Sequence, residues 1–131
     1  GNLASAGGHG VELTGDLSGT ISVSGGSIAG NAGDGIRVTS VTAGAVSVRR
    51  GTVAGSVAAI VISGAVDGTS SITVAAATAV AGTGHGVHVV GAVAGELKLV
   101  GGTVTAAAGN AVQLDAHVSS NSVLFSRFFI L

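Results

Sequence analysis

Six carboxylates and four imidazoles carry most of the chemistry this chain could perform. The acids are Glu12, Asp16, Asp34, Asp67, Glu96 and Asp115. Work as a glycosidic acid/base pair would need two of them about 5–9.5 Å apart across a scissile bond. The histidines are His9, His85, His88 and His117, and the absence of Cys leaves imidazole and carboxylate as the only metal donors. Gly82-Thr83-Gly84-His85-Gly86 is glycine-rich but lacks the Lys-Ser/Thr of a phosphate loop, and no helix pattern follows it. Arg49-Arg50 is the single basic pair, and Thr103-Val104-Thr105 the single Thr-x-Thr of the type that ice-binding faces array in ranks. Whether any of these groups meet depends on the elements that carry them.

Those elements repeat. An apolar-x-apolar tripeptide recurs as Val11-Glu12-Leu13, Ile36-Arg37-Val38, Ile60-Val61-Ile62, Val87-His88-Val89 and Val112-Gln113-Leu114, at spacings of 25, 24, 27 and 25 residues. A second series runs in step: Ile21-Ser22-Val23, Val46-Ser47-Val48, Ile72-Thr73-Val74, Leu97-Lys98-Leu99 and Val123-Leu124-Phe125. A third, single apolar position follows at Ile28, Val53, Val80, Val104 and Ile130. Period-two alternation in short segments marks strands, and 24 glycines cost too much helix propensity for the alternative. Strands this short are buried by stacking equivalent units, so that Val11 lies under Ile36, Ile60, Val87 and Val112 at about 4.8 Å per step. The spacing predicts an all-β, right-handed parallel β-helix, or β-solenoid, of about five coils of about 25 residues with three short strands per coil.

The corners follow the same register. Leu17, Val41, Val66, Val93 and Val118 recur between the first two strands and are expected to plug the interior at a bend. Before the first strand stand His9-Gly10, Asp34-Gly35, Ala58-Ala59, His85-Gly86 and Asn110-Ala111, where Gly is expected to serve a left-handed corner. No Pro interrupts the central strands. One domain, 1-131, is expected, with repeat units of roughly 9-33, 34-57, 58-84, 85-109 and 110-131, and with 1-8 ending a preceding coil.

Composition narrows the function. Charged residues are 8% of the chain and the formal net charge is −1, so no basic field exists for nucleic acid. The most apolar run, Ala54 to Val66, is broken by Ser56, Ser63 and Gly64, short of the roughly 18–20 residues of a spanning helix, so this segment is not expected to insert into a membrane. Mean hydropathy of +0.73 with few charges opposes disorder. No signal-peptide pattern opens the chain; with Gly1 first and no Met, a processed product or an excerpt is expected.

Placed on the repeat, the candidates scatter. Asp16 and Asp67 share a corner region but lie two coils apart, about 10 Å. His9 and His85 occupy one corner position three coils apart, His88 points outward, and no carboxylate is expected to complete a metal set. The Thr103/Thr105 positions read elsewhere as Ser27/Ala29, Thr52/Ala54 and Ala79/Ala81, which is no Thr rank. Glu12 and Arg37 should be outward lateral neighbours, an opposite-charge pair of about 0.2–1 kcal/mol. No catalytic residue, cofactor or metal is predicted, and the chain is not expected to be an enzyme.

The unit Asn31-Ala32-Gly33-Asp34-Gly35-Ile36-Arg37-Val38, with Gly44-Ala45-Val46-Ser47-Val48 and Gly51-Thr52-Val53, resembles the repeats of bacterial right-handed β-helix proteins. The nearest likeness is to autotransporter passengers and related extracellular β-strand-repeat surface proteins. That resemblance implies an extracellular or cell-surface location and a non-enzymatic structural role, as a rod or adhesin segment or a subunit stacking end to end into a fibre. The alternative is a carbohydrate-active or carbohydrate-binding β-helix with catalytic groups outside this stretch. The expected partner is a second copy, head to tail, or further coils of a longer chain; surface carbohydrate is the other partner the class admits. Leu3 and Ile130 align with Val104 at the two ends, and all three Phe fall in the last coil. Leu3, Phe125, Phe128, Phe129, Ile130 and Leu131 are therefore the candidate self-association residues.

Overall fold

The computed structural model describes the backbone of residues 2–5, 7–119, 123–126 and 129–130, and the side chains of residues 7–119. Its strands run in chain order as β1 (Asn2–Ser5), β2 (Val11–Leu17), β3 (Thr20–Ser24), β4 (Ser27–Gly30), β5 (Ile36–Val41) and β6 (Ala45–Arg49). They continue as β7 (Thr52–Gly55), β8 (Ile60–Ile62), β9 (Ser71–Ala75), β10 (Thr78–Ala81) and β11 (Val87–Val89). The last are β12 (Glu96–Val100), β13 (Thr103–Ala106), β14 (Val112–Leu114), β15 (Val123–Ser126) and β16 (Phe129–Ile130). Every third strand joins the same sheet, giving parallel sheets ordered β14-β11-β8-β5-β2, β15-β12-β9-β6-β3 and β1-β4-β7-β10-β13-β16. The chain is a parallel β-solenoid with three strands per coil.

Register aligns the apolar positions into interior columns. Val11, Ile36, Ile60, Val87 and Val112 form one; Ile21, Val46, Ile72, Leu97 and, by backbone register, Val123 form the second. The corner residues stack too, Val41 to Val66 to Val93 to Val118 through isolated parallel bridges. Ile36, Ile60, Ile72 and Leu97 have no exposed surface; each such side chain contributes about 1.5–3 kcal/mol by burial. The fold is aliphatic interdigitation closed by ladder hydrogen bonds.

The third column differs from the expectation. Ala79, not Val80, pairs with Val53 and Val104, and Val80 points outward with 37% of its surface exposed. The corner between second and third strands has one constant form, which fixes the count. Gly25, Arg50, Ala76 and Gly101 occupy equivalent places there with φ of 74°, 54°, 50° and 65°. The left-handed turn therefore falls at this corner, and two of its four described places are held by residues with a Cβ.

The glycines before the first strand are there for another reason than the one expected. Gly35 and Gly86 have no left-handed φ; a Cβ would lie 2.5 Å from Val53 Cγ1 at Gly35 and 2.2 Å from Val104 Cγ1 at Gly86. Coil three carries Ala59 at this position and Ala79 in place of the valine. Side-chain volume has moved from the third strand to the corner.

Coil lengths vary mainly at the corner between first and second strands. β2 holds one residue more than β5 there, a register shift between Leu13 and Asp16. Coil three accommodates its extra residues in a turn at Asp67–Ser70, closed by Ser70 N–H donating to Asp67 O at 3.1 Å.

Candidate functional site

Three of the acids accept from backbone or hydroxyl groups, Asp67 within its own turn and Asp16 and Asp34 from the neighbouring coil. Asp67 Oδ1 accepts from Thr69 N–H at 3.0 Å, Thr69 Oγ1 at 2.9 Å and Ser70 Oγ at 2.8 Å. The Ser70 hydroxyl, then the Thr69 amide, hold the Asp67 carboxyl below its usual value. Ser70 is itself buried and its Oγ accepts from Gly44 N–H of the preceding coil. Asp16 accepts from the Ser40 hydroxyl. Asp34 is buried, its side chain only 3% exposed, and Oδ1 accepts from Ala58 N–H of the next coil at 3.0 Å.

Arg37 departs from its expected partner. It lies beside Glu12 in register, yet its guanidinium Nη1 donates to Asp34 Oδ2 at 3.1 Å on its own coil. The geometry explains the choice, since Asp34 is two positions before the strand that carries Arg37 and is already fixed by its backbone contacts. Glu12 is left with a 3.9 Å approach to His9 Nε2.

The corner histidines act on the backbone. His9 Nδ1 accepts Asp34 N–H at 2.9 Å and His85 Nδ1 accepts Asn110 N–H at 2.9 Å, each from the coil above. An amide N–H only donates, so the neutral rings carry their proton on Nε2. His9, Asp34 and His85 thus do one job at one repeat position, presenting an acceptor to the same N–H of the next coil. Only Ala58 lacks a side-chain acceptor among the described coils that carry a neighbour at this corner.

His88 and Asp115 come together, which the sequence reading missed. His88 Nε2 lies 2.7 Å from Asp115 Oδ2, and Gln113 Nε2 donates to Asp115 Oδ1 at 2.6 Å. Gln113 first, then His88, lower the Asp115 carboxyl from its usual value. The His88 ring also packs edge-on to His85, with centroids 4.7 Å apart. The signal was available: Val90 and Asp115 continue the outward columns that begin with Thr39 and Ser63, which puts an acid beside His88. No group of three or more His or acid side chains arranged to hold a metal occurs among the described residues.

His88 and His85, with His9, Asp34 and Arg37, border a groove of about 480 Å³ on the outside of the first sheet. Coil three supplies its floor with Val57, Ala58 and Val61, small or aliphatic where neighbouring coils carry Asp34, His85, Arg37 and His88. Polar side chains therefore stand on both sides of an apolar step. Val57 is the exposed part of that floor, at 42%, and Val90 also lines the groove, 40% exposed.

The corrected register also changes the hydroxyl pattern on the third sheet. Ser27, Thr52, Thr78 and Thr103 form one outward column, and Ala29, Ala54, Val80 and Thr105 the next. A single rank of hydroxyls replaces the isolated Thr-x-Thr.

Of the self-association candidates, Leu3 pairs with Ile28, Phe125 with Leu99, Phe129 with Thr103 and Ile130 with Val104 in backbone register. Their side chains, and Phe128 and Leu131 entirely, lie outside the described residues. Among the described residues no helix is long and apolar enough to cross a membrane. Comparison with family models, with curated proteins and with solved structures gave no match.

Proposed function

We propose that this chain is a non-enzymatic structural β-solenoid that works outside the cell, as a surface rod or as a subunit that stacks head to tail into a fibre. The observation that carries this reading is the repeat of one coil-to-coil interface. Each step superposes the same three interior columns and the same parallel ladders, so the contact is heterologous and advances by translation. A contact of that kind does not close on itself, and copies joined by it form an open filament. The variable residues stand on the outside, which suits a rod that displays different side chains at fixed heights. Backbone-capping by His9, Asp34 and His85 stiffens one corner of the rod from coil to coil.

Sedimentation velocity across a concentration series tests the reading. Head-to-tail growth gives a sedimentation coefficient that rises continuously with concentration. One slow species at every concentration rejects assembly.

A further inference from the structure

The groove over coil three presents more hydrogen-bond donors than acceptors, and their positions are fixed before any ligand arrives. His85 holds its Nε2–H because Nδ1 accepts Asn110 N–H, and Nε2 has no partner among the described residues. His9 holds its own Nε2–H in the same way, with Glu12 Oε1 3.9 Å from it, beyond hydrogen-bond distance. Arg37 spends one N–H contact on Asp34 and keeps the rest of its donor fork, with 43% of the side chain exposed. On the acceptor side Asp34 is engaged: Oδ1 takes Ala58 N–H, and Oδ2 takes an Arg37 Nη1–H. Asp115 lies outside the lining and is engaged by His88 and Gln113.

Between these donors lies an aliphatic floor. Val57, Ala58 and Val61 offer no polar side-chain atom, and Ser63 adds one hydroxyl at the edge. From the corner of His9 to that of His85 is three coil steps, about 14 Å. A matching ligand brings acceptor oxygens at one end and an apolar face to lie on the valines. Arg is suited to a carboxylate because its planar fork donates two parallel hydrogen bonds, and Asp34 already orients that fork.

We infer that this groove is a binding site for a small carboxylate with an apolar face, its carboxylate held by Arg37 and its body resting on Val57, Ala58 and Val61. Short aliphatic acids and uronic-acid sugars share that chemistry. The inference is independent of how the solenoid assembles.

The test is a nuclear magnetic resonance titration of the whole chain, following the imidazole and Val methyl signals. Four probes are used: butyrate, its neutral analogue butyramide, galacturonate and galactose. Saturable shifts at His85 and Val57, absent at His117, with butyrate or galacturonate and not with their neutral analogues support the site. Butyrate alone identifies an aliphatic acid as the source, galacturonate alone a sugar acid. Arg37→Gln should weaken the bound acid about tenfold or more. Val57→Glu, at the exposed part of the floor, should abolish binding with an unchanged melting curve. No saturable shift with either acid, equal shifts with the neutral analogues, or full affinity in folded Arg37→Gln would overturn the inference.

Discussion

The Asp34 carboxylate, buried at the solenoid corner, accepts the backbone N–H of Ala58, one coil above, at 3.0 Å. It replaces a ladder bond that the strand cannot make at the bend. Asp34→Ala leaves that N–H unpaired and Arg37 without its acid, and should cost about 1–3 kcal/mol in a denaturant melt. Asp34→Asn keeps an acceptor oxygen and should cost less. Equal losses in the two variants would mean that charge, not the amide contact, is what Asp34 supplies.

The left-handed corner makes a prediction of opposite sign. Arg50 and Ala76 sit at φ of 54° and 50°, where Gly25 and Gly101 stand in equivalent coils. That conformation costs a residue with a Cβ about 1–2 kcal/mol, and glycine recovers it less its own chain entropy of about 0.5–1 kcal/mol. Arg50→Gly and Ala76→Gly should each raise the melting temperature. A fall in both would place the turn elsewhere.

Ala59 and Ala79 are predicted to be coupled. Ala79→Val restores the third-strand valine but meets the Ala59 methyl, where Gly35 and Gly86 leave room for Val53 and Val104. Alone it should cost about 1–3 kcal/mol by overpacking. Combined with Ala59→Gly most of that loss should return, a coupling of about 0.5–3 kcal/mol in a double-mutant cycle. Strict additivity would show that the two positions do not share space.

Much of this architecture was legible in the sequence, because period-two aliphatic pairs at a 24–27 residue spacing admit few other folds. Val80 was misread for a physical reason. An interior alanine gives no hydropathy peak, and an exposed valine beside it does, so only the fixed length of the corner identifies Ala79. Arg50 and Ala76 hid the left-handed turn because neither is glycine. The groove was invisible for a different reason: its floor is Ala58 and Val61 and its sides are Arg37 and His88, residues that meet only across coils.

Asp67 predicts a pH dependence. Its folded value lies below the ordinary 3.8, so the stabilisation from Ser70 and Thr69 is complete above the unfolded value and is lost as pH falls through the folded one. Melting temperature should therefore drop on acidification below about pH 4, and that drop should be shallower in Asp67→Asn. An identical acid profile in the variant would assign the loss to other carboxylates.

Core register has a simple control. Ile72 is fully buried and Ser47 stands in the outward column beside Arg49. Ile72→Asp should cost several kcal/mol, and Ser47→Lys should change the melt by less than about 0.5 kcal/mol. An unaltered melt for Ile72→Asp would put the register off by one.

Head-to-tail stacking is tested most directly by a mixed cross-link, made clean by the absence of native cysteine. Asn2, Ser27, Thr52, Thr78, Thr103 and Phe129 share one register column, with Asn2 on the first strand and Phe129 on the last strand of the six-stranded sheet. Translating one copy onto another sets position 129 of the lower chain beside position 2 of the upper, at about 4.8 Å between strands, within disulfide reach. Asn2→Cys chains mixed with Phe129→Cys chains should oxidise to the heterodimer in preference to either homodimer. A mixture that yields homodimers and heterodimers in statistical proportion, or no dimer at all, would contradict stacking by this interface.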